Sequence, residues 1–174
     1  MRDFVESIQG EFRRYKKLGE GAFQQLQETE LSSDAPGEPN SVAVIVWHIS
    51  GNLRSRFTDF LTSDGEKPWR HRDEEFEKRD VGLAELRAKW DEGWAVLFDT
   101  MESLTDSDLQ RIVVIRGETF KVYEALHRSV THIAYHVGQI VHLAKTFRGA
   151  NWKSLTIPRG QSEQFNKHPS GQRA

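Results

Sequence analysis

The chain has 174 residues, with 24 basic and 26 acidic side chains and no cysteine. Its length suits one domain with its own hydrophobic core, and its nearly balanced charge offers no general positive field for a nucleic-acid backbone. The lack of cysteine excludes disulfides, a thiolate nucleophile from the protein and cysteine-ligated zinc, so any metal must bind through nitrogen and oxygen.

The sequence does not support membrane insertion. Charged residues appear in the first six positions before any apolar stretch, and the longest apolar run covers only residues 42–47. A membrane-spanning helix needs roughly 20 apolar residues. We therefore expect a soluble, cytoplasmic protein with no membrane partner.

Apolar residues spaced three and four positions apart recur in four segments, which predicts four main helices. We expect these helices over residues 8–27, 40 or 41 to 61, 82–101 and 120–147. Pro36 and Gly37 separate the first two helices, and Asp64 and Gly65 follow the second. The pattern predicts an all-α fold, a four-helix bundle.

Polar side chains are expected to cap two of these helices. Asn40 or Ser41 offers an acceptor to the free amides at the start of the second helix, and Thr119 does so for the fourth. Before Thr119, the β-branched run at 111–116 predicts a brief extended segment, which does not by itself imply a sheet.

Two segments outside the helices lack a clear period. Residues 67–80 form a charged connection that includes Pro68, Trp69 and Arg70. These side chains either line a cleft or lie on a surface loop, and the loop is the favoured interpretation. Residues 151–174 are expected to be extended or partly disordered, so we predict a bundle domain over 1–150 and a C-terminal tail over 151–174.

A histidine pair one helical turn apart, His132 and His136, is the main functional signal. Residues four apart lie on the same face of a helix, so both imidazoles can reach one ion while His48 on the second helix supplies a third nitrogen. Such a set leaves coordination positions open for water or substrate. The alternative is a set of hydrogen-bonded helix histidines, because such spacing also arises by chance. His127 and His142 fall on the polar side of the same helix, where we expect them at the surface.

Several motifs resemble the DinB-like superfamily over about residues 4–147. They are VWHI at 46–49 on the second helix and THIAYHVGQI at 131–140 on the fourth. The segments GEKPWR at 65–70, with Arg72 and Asp73, and LTIPRGQS at 155–162 are similar to an uncharacterised bacterial subgroup. The resemblance implies an up-down-down-up four-helix bundle, often dimeric. It also implies a divalent metal ion (zinc, nickel, iron or manganese) held by His48, His132 and His136.

The resemblance also implies a class of reaction. Relatives with known activity include transferases and isomerases that use low-molecular-weight thiols such as mycothiol or bacillithiol, although many members have no assigned reaction. Because the chain has no cysteine, a thiol would enter as a cosubstrate. The favoured expectation is a metal-dependent thiol S-transferase. A metal-dependent hydrolase and a non-catalytic metal-binding or stress-associated protein are the alternatives.

Other side chains are candidates for supporting roles. Asp59 is the candidate acceptor that orients the His48 ring, although it lies almost three turns away along the second helix. Arg70, Arg72 and Arg159 could bind a carboxylate of a small thiol, but solvated loop charges are the favoured interpretation.

A stripe of small apolar residues on the fourth helix lies roughly opposite His132. It consists of Val130, Ala134, Val137 and Val141. This stripe predicts a second buried face, which could be the interface of a homodimer.

Overall fold

The computed structural model describes residues 3–35, 37 and 39–167. This part of the chain is mostly helical, with one small antiparallel sheet. The helices are α1 (Phe4–Phe23), α2 (Glu28–Ser32), α3 (Val42–Phe57), α4 (Leu83–Ser103), α5 (Val122–Arg148) and α6 (Ser162–Lys167), and the strands are β1 (Ile112–Ile115) and β2 (Glu118–Lys121). None of the helices in these ranges combines the length and apolar character that crossing a bilayer requires.

The four long helices pack around one apolar core. Helix α3 packs mainly on α4, and α1 packs mainly on α5, while contacts of α3 with α5 and of α1 with α4 join the two pairs. The largest buried side chains at the centre are aromatic, with Trp90 and Trp94 from α4 beside Phe12, Phe23 and Phe57. The helical period of the sequence is therefore a correct guide to the core.

The ends of two predicted helices are wrong. The first predicted helix, 8–27, begins at Phe4 and ends at Phe23 instead. A separate short helix, α2, follows it, and the backbone N–H of Gln27 donates to the Glu30 carboxylate at 2.7 Å where α2 begins. The second ends at Phe57, several residues early, because Thr58 takes an extended backbone with a ψ of 125° and Asp59 then takes a φ of 49°. A residue in this left-handed region cannot continue an α-helix.

Of the two predicted caps, one is confirmed and one is wrong. Ser41 precedes α3, and its hydroxyl accepts a hydrogen bond from the backbone N–H of Val44 at 3.3 Å. Thr119 lies in β2 opposite Val114, and α5 begins only at Val122. Strand pairing therefore occupies the position that the sequence indicates as a cap.

The predicted extended segment is confirmed and forms one arm of a β-hairpin. Strands β1 and β2 pair in antiparallel register, and the two-residue loop Arg116–Gly117 joins them with φ values of 56° and 76°. Loops of this kind need positive φ at both positions, which glycine adopts without strain. The Asp64 carboxylate accepts the backbone N–H groups of Arg116 and Gly117, each at 2.8 Å. The hairpin is thereby held against the segment that follows α3.

The segment after α5 is more ordered than the sequence indicates. The Gln25 side chain donates to the Lys153 carbonyl at 3.0 Å and accepts its backbone N–H at 2.8 Å. Trp152 and Leu155 pack against the core, and residues 162–167 form α6. Residues 152–161 form no helix or strand, so only α6 departs from the expected extended chain, and residues 168–174 lie outside the described part of the chain. The domain boundary at residue 150 stays a prediction.

The apolar stripe on α5 does not form a free second face. Val137 is buried in the core, and Val130 and Val141 pack partly buried against it. Helix α1 covers much of α5, and a helical wheel cannot show which neighbour covers a given face. Homodimerisation itself stays a prediction.

Candidate metal centre

Helices α3 and α5 bring His48, His132 and His136 together. Potential ligand atoms of the three side chains lie within 4.8 Å of one another, and the Nε2 atoms of His48 and His132 are 3.1 Å apart. His48 is buried in the second turn of α3, and the other two are half-buried one turn apart on α5. The three histidines therefore meet, as the sequence predicts, and they lie close enough to bind one metal ion.

Neighbouring acceptors select the tautomers of two of these rings. His48 Nδ1 lies 2.9 Å from Glu75 Oε2, and since a carboxylate can only accept, Nδ1 carries the hydrogen. His136 Nδ1 donates in the same way to Gln139 Oε1 at 2.7 Å. In the neutral form of each ring Nε2 is then the nitrogen without a hydrogen, and it is the atom that can bind a metal.

The arrangement of the donors fits a metal ion. Two imidazole nitrogens on one tetrahedral zinc ion lie roughly 3.3 Å apart, close to the 3.1 Å between the Nε2 atoms of His48 and His132. These two nitrogens form a hydrogen bond when His132 carries its hydrogen on Nε2, and they can share a cation when His132 carries it on Nδ1. The buried Nδ1 of His132 has no hydrogen-bond partner in the described part of the chain.

The surroundings keep two of the imidazoles neutral. Burial, reinforced by the adjacent His136 and His48, lowers the pKa of His132 to about 3. Burial and the adjacent His48 lower the pKa of His136 to about 4. At neutral pH both rings can therefore offer a lone pair without first losing a proton.

A buried ion pair holds the His48 ring in place. Arg70 donates from Nε and one terminal nitrogen to the two oxygens of Glu75, at 2.8 and 2.9 Å, and from its other terminal nitrogen to the Ser55 hydroxyl at 3.1 Å. Burial alone would raise the pKa of Glu75, but hydrogen bonds from His48 and Arg70 outweigh it and lower that pKa. Glu75 therefore remains a carboxylate and keeps the proton on Nδ1 of His48.

Gly51 makes room for this carboxylate. A Cβ atom at Gly51 would lie 2.0 Å from Oε1 of Glu75, far inside van der Waals contact. Gly51 follows His48 by three residues on α3, so the carboxylate lies against the helix where no side chain intervenes. The short 3-10 turn Arg72–Phe76, which carries Glu75, packs on α3 at this point.

Two sequence-based assignments around the site are wrong. Asp59 is exposed and does not contact His48, whose acceptor is Glu75. Arg70 is not a solvated loop charge, because only 2% of its side chain is exposed. The connection that contains Arg70 lacks periodicity, and the density of Trp and Arg at 69–72 is the one sequence signal that indicates a cleft.

The other histidines and loop arginines are placed as follows. His127 and His142 are exposed on α5, as predicted, and are not among the three clustered histidines. Arg72 is exposed but lines the cavity beside the three histidines. Arg159 is exposed and is not among the residues that line this cavity.

The cavity beside the histidines has a volume of about 350 Å³. Its walls come from α3, the 3-10 turn, the hairpin and α5, which contribute His48, Arg72, Ile115 and His132 among others. A volume in this range can hold a small organic molecule.

A family described as "Protein of unknown function (DUF1572)" matches residues 1–161. The chain belongs to this family. No curated protein matches the chain. Since the family description gives no activity, any chemistry has to be argued from the site itself. Three clustered imidazoles next to a cavity make a set that can bind a metal and still admit a ligand.

Proposed function

We propose that this protein binds one divalent metal ion through His48, His132 and His136 and uses it as a metal-dependent enzyme. The observation that carries the proposal is the convergence of these three imidazoles, from two helices, at the edge of a cavity. Imidazole ligands suit zinc, nickel and iron, and the resemblance adds manganese, so the proposal extends to divalent ions as a class and not to one element.

We also propose the DinB-like fold, an up-down-down-up bundle of α1, α3, α4 and α5. Mutual packing of these four helices supports it. The positions of the histidines also support it, because His48 lies on the second long helix and His132 and His136 lie on the last, in the order that the resemblance implies.

The favoured reaction is transfer of a low-molecular-weight thiol to an electrophile. A divalent ion at this centre would supply Lewis acidity that makes a bound thiol or water more acidic. Because the chain has no cysteine, the thiol has to come from a cosubstrate. The residues of the chain hold the ion, keep the proton of His48 on Nδ1 through Glu75 and enclose the reactants in the cavity.

The first experiment measures metal content in protein purified without an affinity tag. We compare the parent with His48→Ala and His132→Ala, and use His127→Ala and His142→Ala as matched controls because these histidines are exposed on α5. The parent and the controls should carry about one ion per chain, and the two site variants should lose it. Equal metal content in all five proteins would refute the proposed site.

The second experiment tests the reaction. The parent and His132→Ala are incubated with an electrophile and a panel of small thiols, with and without added zinc, nickel or manganese. A thiol-conjugation rate that needs both metal and His132 supports the transferase. A metal-loaded parent with no such rate points to hydrolysis, assayed on ester and amide substrates, or to a metal-binding protein without turnover.

A further inference from the structure

The cavity beside the three histidines has a strongly basic wall. Five arginines line it, and none of its described lining residues is acidic. These arginines are Arg56, Arg70, Arg72, Arg116 and Arg128. Positive charge in a concave wall concentrates the local potential and attracts anions, although the chain as a whole has a formal charge of −2.

Two of these arginines have structural partners. Arg70 is paired with the buried Glu75. Arg56 is also buried, where it donates to the Gly65 carbonyl and contacts Glu66 at 3.3 Å. Their main role is therefore to hold the connection after α3 in position.

The other three arginines carry charge that the surroundings leave largely unbalanced. Arg116 contacts Glu66 at 2.8 Å, but this carboxylate is shared with Arg56. Arg72 has only a 3.8 Å contact with the fully exposed Asp73, which is worth little in water. For Arg128, no carboxylate of the described residues lies within ion-pair distance, and its guanidinium is 5.7 Å from the centre of the Phe120 ring.

These three side chains reach the cavity from separate elements. Arg72 begins the 3-10 turn, Arg116 lies in the hairpin loop and Arg128 lies on α5, one turn before His132. Guanidinium groups bind carboxylates and phosphates through paired, charge-assisted hydrogen bonds. A ligand anion is the partner that this set of charges lacks.

We propose that the cavity binds a small organic anion whose carboxylate or phosphate group contacts Arg72, Arg116 and Arg128. This inference rests on the proposed function in one respect, which is that the reacting end of the same molecule faces His48, His132 and His136. The substrate or cosubstrate is thus an anionic molecule small enough for a cavity of about 350 Å³.

The test uses the full-length untagged protein with sodium phosphate, sodium glutarate and the uncharged glutaramide as probes. Binding is measured from the rise of the thermal unfolding midpoint with probe concentration. The site variant is Arg72→Gln/Arg128→Gln, which changes side chains that do not support the core. The matched control is Arg87→Gln/Arg159→Gln, which removes the same charge from exposed positions that do not line the cavity.

We expect saturable binding of at least one anion and none of glutaramide. The dissociation constant should rise about tenfold or more in the site variant and stay within about twofold in the control. Preference for phosphate or for glutarate identifies the oxyanion. No saturable binding of either anion, or equal weakening in both double variants, would overturn the inference. Metal content measured on the same samples separates this outcome from failure of the metal site, since neither double variant changes a histidine.

Discussion

At the scale of single residues, Glu75 links the candidate ligand His48 to the buried Arg70. It accepts one hydrogen bond from the imidazole and two from the guanidinium. Such partners orient a ligating histidine and raise its affinity for metal. Glu75 also balances the charge of Arg70, so one carboxylate supports both the site and the fold.

Replacing Glu75 by Gln should weaken the site and the protein together. We expect metal affinity to fall about 10–100-fold, because a neutral amide accepts from Nδ1 of His48 more weakly than a carboxylate and offers Arg70 and His48 only one acceptor oxygen between them. Unfolding free energy should fall by about 3 kcal/mol, because Arg70 would be left buried without its counter-charge. A competition titration with a coloured chelator and urea unfolding measure the two effects. Glu74→Gln, an exposed neighbour in the same turn, is the control; if both variants bind metal like the parent, Glu75 has no positioning role.

Gly51 provides a second test of this contact by steric means. In Gly51→Ala the new methyl group would collide with Oε1 of Glu75, so the carboxylate has to leave His48 or the turn has to move. We expect lower metal affinity and lower stability. Gly138→Ala is the matched control, because a Cβ there meets nothing within 4 Å and alanine stabilises a helix by about 0.5–1 kcal/mol over glycine. Two variants with equal metal affinity would show that the close approach of Glu75 to α3 does not matter for binding.

At the scale of elements, the sequence predicted what depends on local periodicity. The helical period located the long helices, and the four-residue spacing correctly placed His132 and His136 on one face of α5. The same reasoning predicted Asp59 as the partner of His48, because helical periodicity relates only residues that lie on the same helix. The true partner, Glu75, lies 27 positions after His48, in a connection without helical periodicity. Only three-dimensional packing could therefore identify it.

The hairpin is the other element that local sequence patterns predict only in part. The β-branched run predicted an extended strand, but the second strand, at 118–121, is not β-branched apart from Thr119. Its pairing depends on the positive-φ loop and on Asp64, which binds that loop from outside the hairpin. The hairpin matters for the site because it brings Ile115 and Arg116 to the cavity wall.

Replacing Asp64 by Ala should release this hairpin from the segment after α3. The carboxylate accepts hydrogen bonds from the backbone N–H groups of Glu66, Arg116 and Gly117. We therefore expect the substitution to lower the free energy of unfolding by about 1–2 kcal/mol at neutral pH. The hydrogen bond from Glu66, and then those from Gly117 and Arg116, lower the pKa of Asp64 below its ordinary 3.8. Its contribution is therefore complete above that ordinary value and is lost as pH falls through the lower folded-state pKa.

The measurement is urea unfolding of the parent and Asp64→Ala from neutral to acidic pH. The difference in unfolding free energy between the two proteins should become smaller at acidic pH. Asp80→Ala, an exposed control, should match the unfolding free energy of the parent within about 0.5 kcal/mol at every pH. A difference that does not change with pH would contradict a role for the ionised carboxylate.

At the scale of the whole molecule, the overall charge of the chain does not reveal the local charge around the candidate site. The near balance of charge excludes a large net positive charge for the chain, yet the arginines that line one cavity come from four separate segments and create a local positive excess. Net charge counts residues without regard to position, so it cannot report a local excess that folding creates. The contact between His48 and His132 is likewise created by folding, because 84 positions of sequence separate the two residues. The sequence predicted this contact mainly through the family resemblance.

Because its candidate ligands come from α3 and α5, a bound ion should stabilise the whole fold. Unfolding separates His48 from the other two histidines, so the ion binds the folded chain in preference to the unfolded one. At a free metal concentration about 100-fold above Kd, the gain is about 2.7 kcal/mol. For a chain of this size, that gain corresponds to a rise of about 5–10 °C in Tm. Thermal unfolding with added zinc, and again after removal with a chelator, measures the shift.

The contrast between two histidine variants makes this prediction specific. His132→Ala should show no zinc-dependent rise in Tm, because one of the three clustered donors is gone. His142→Ala should keep the full rise, because that side chain is exposed on α5 and outside the cluster. Zinc can also bind weakly to surface histidines, but such binding would affect both variants alike. An equal rise in the two variants would therefore mean that the stabilising ion sits elsewhere on the protein, and the joining of α3 to α5 by metal would be refuted.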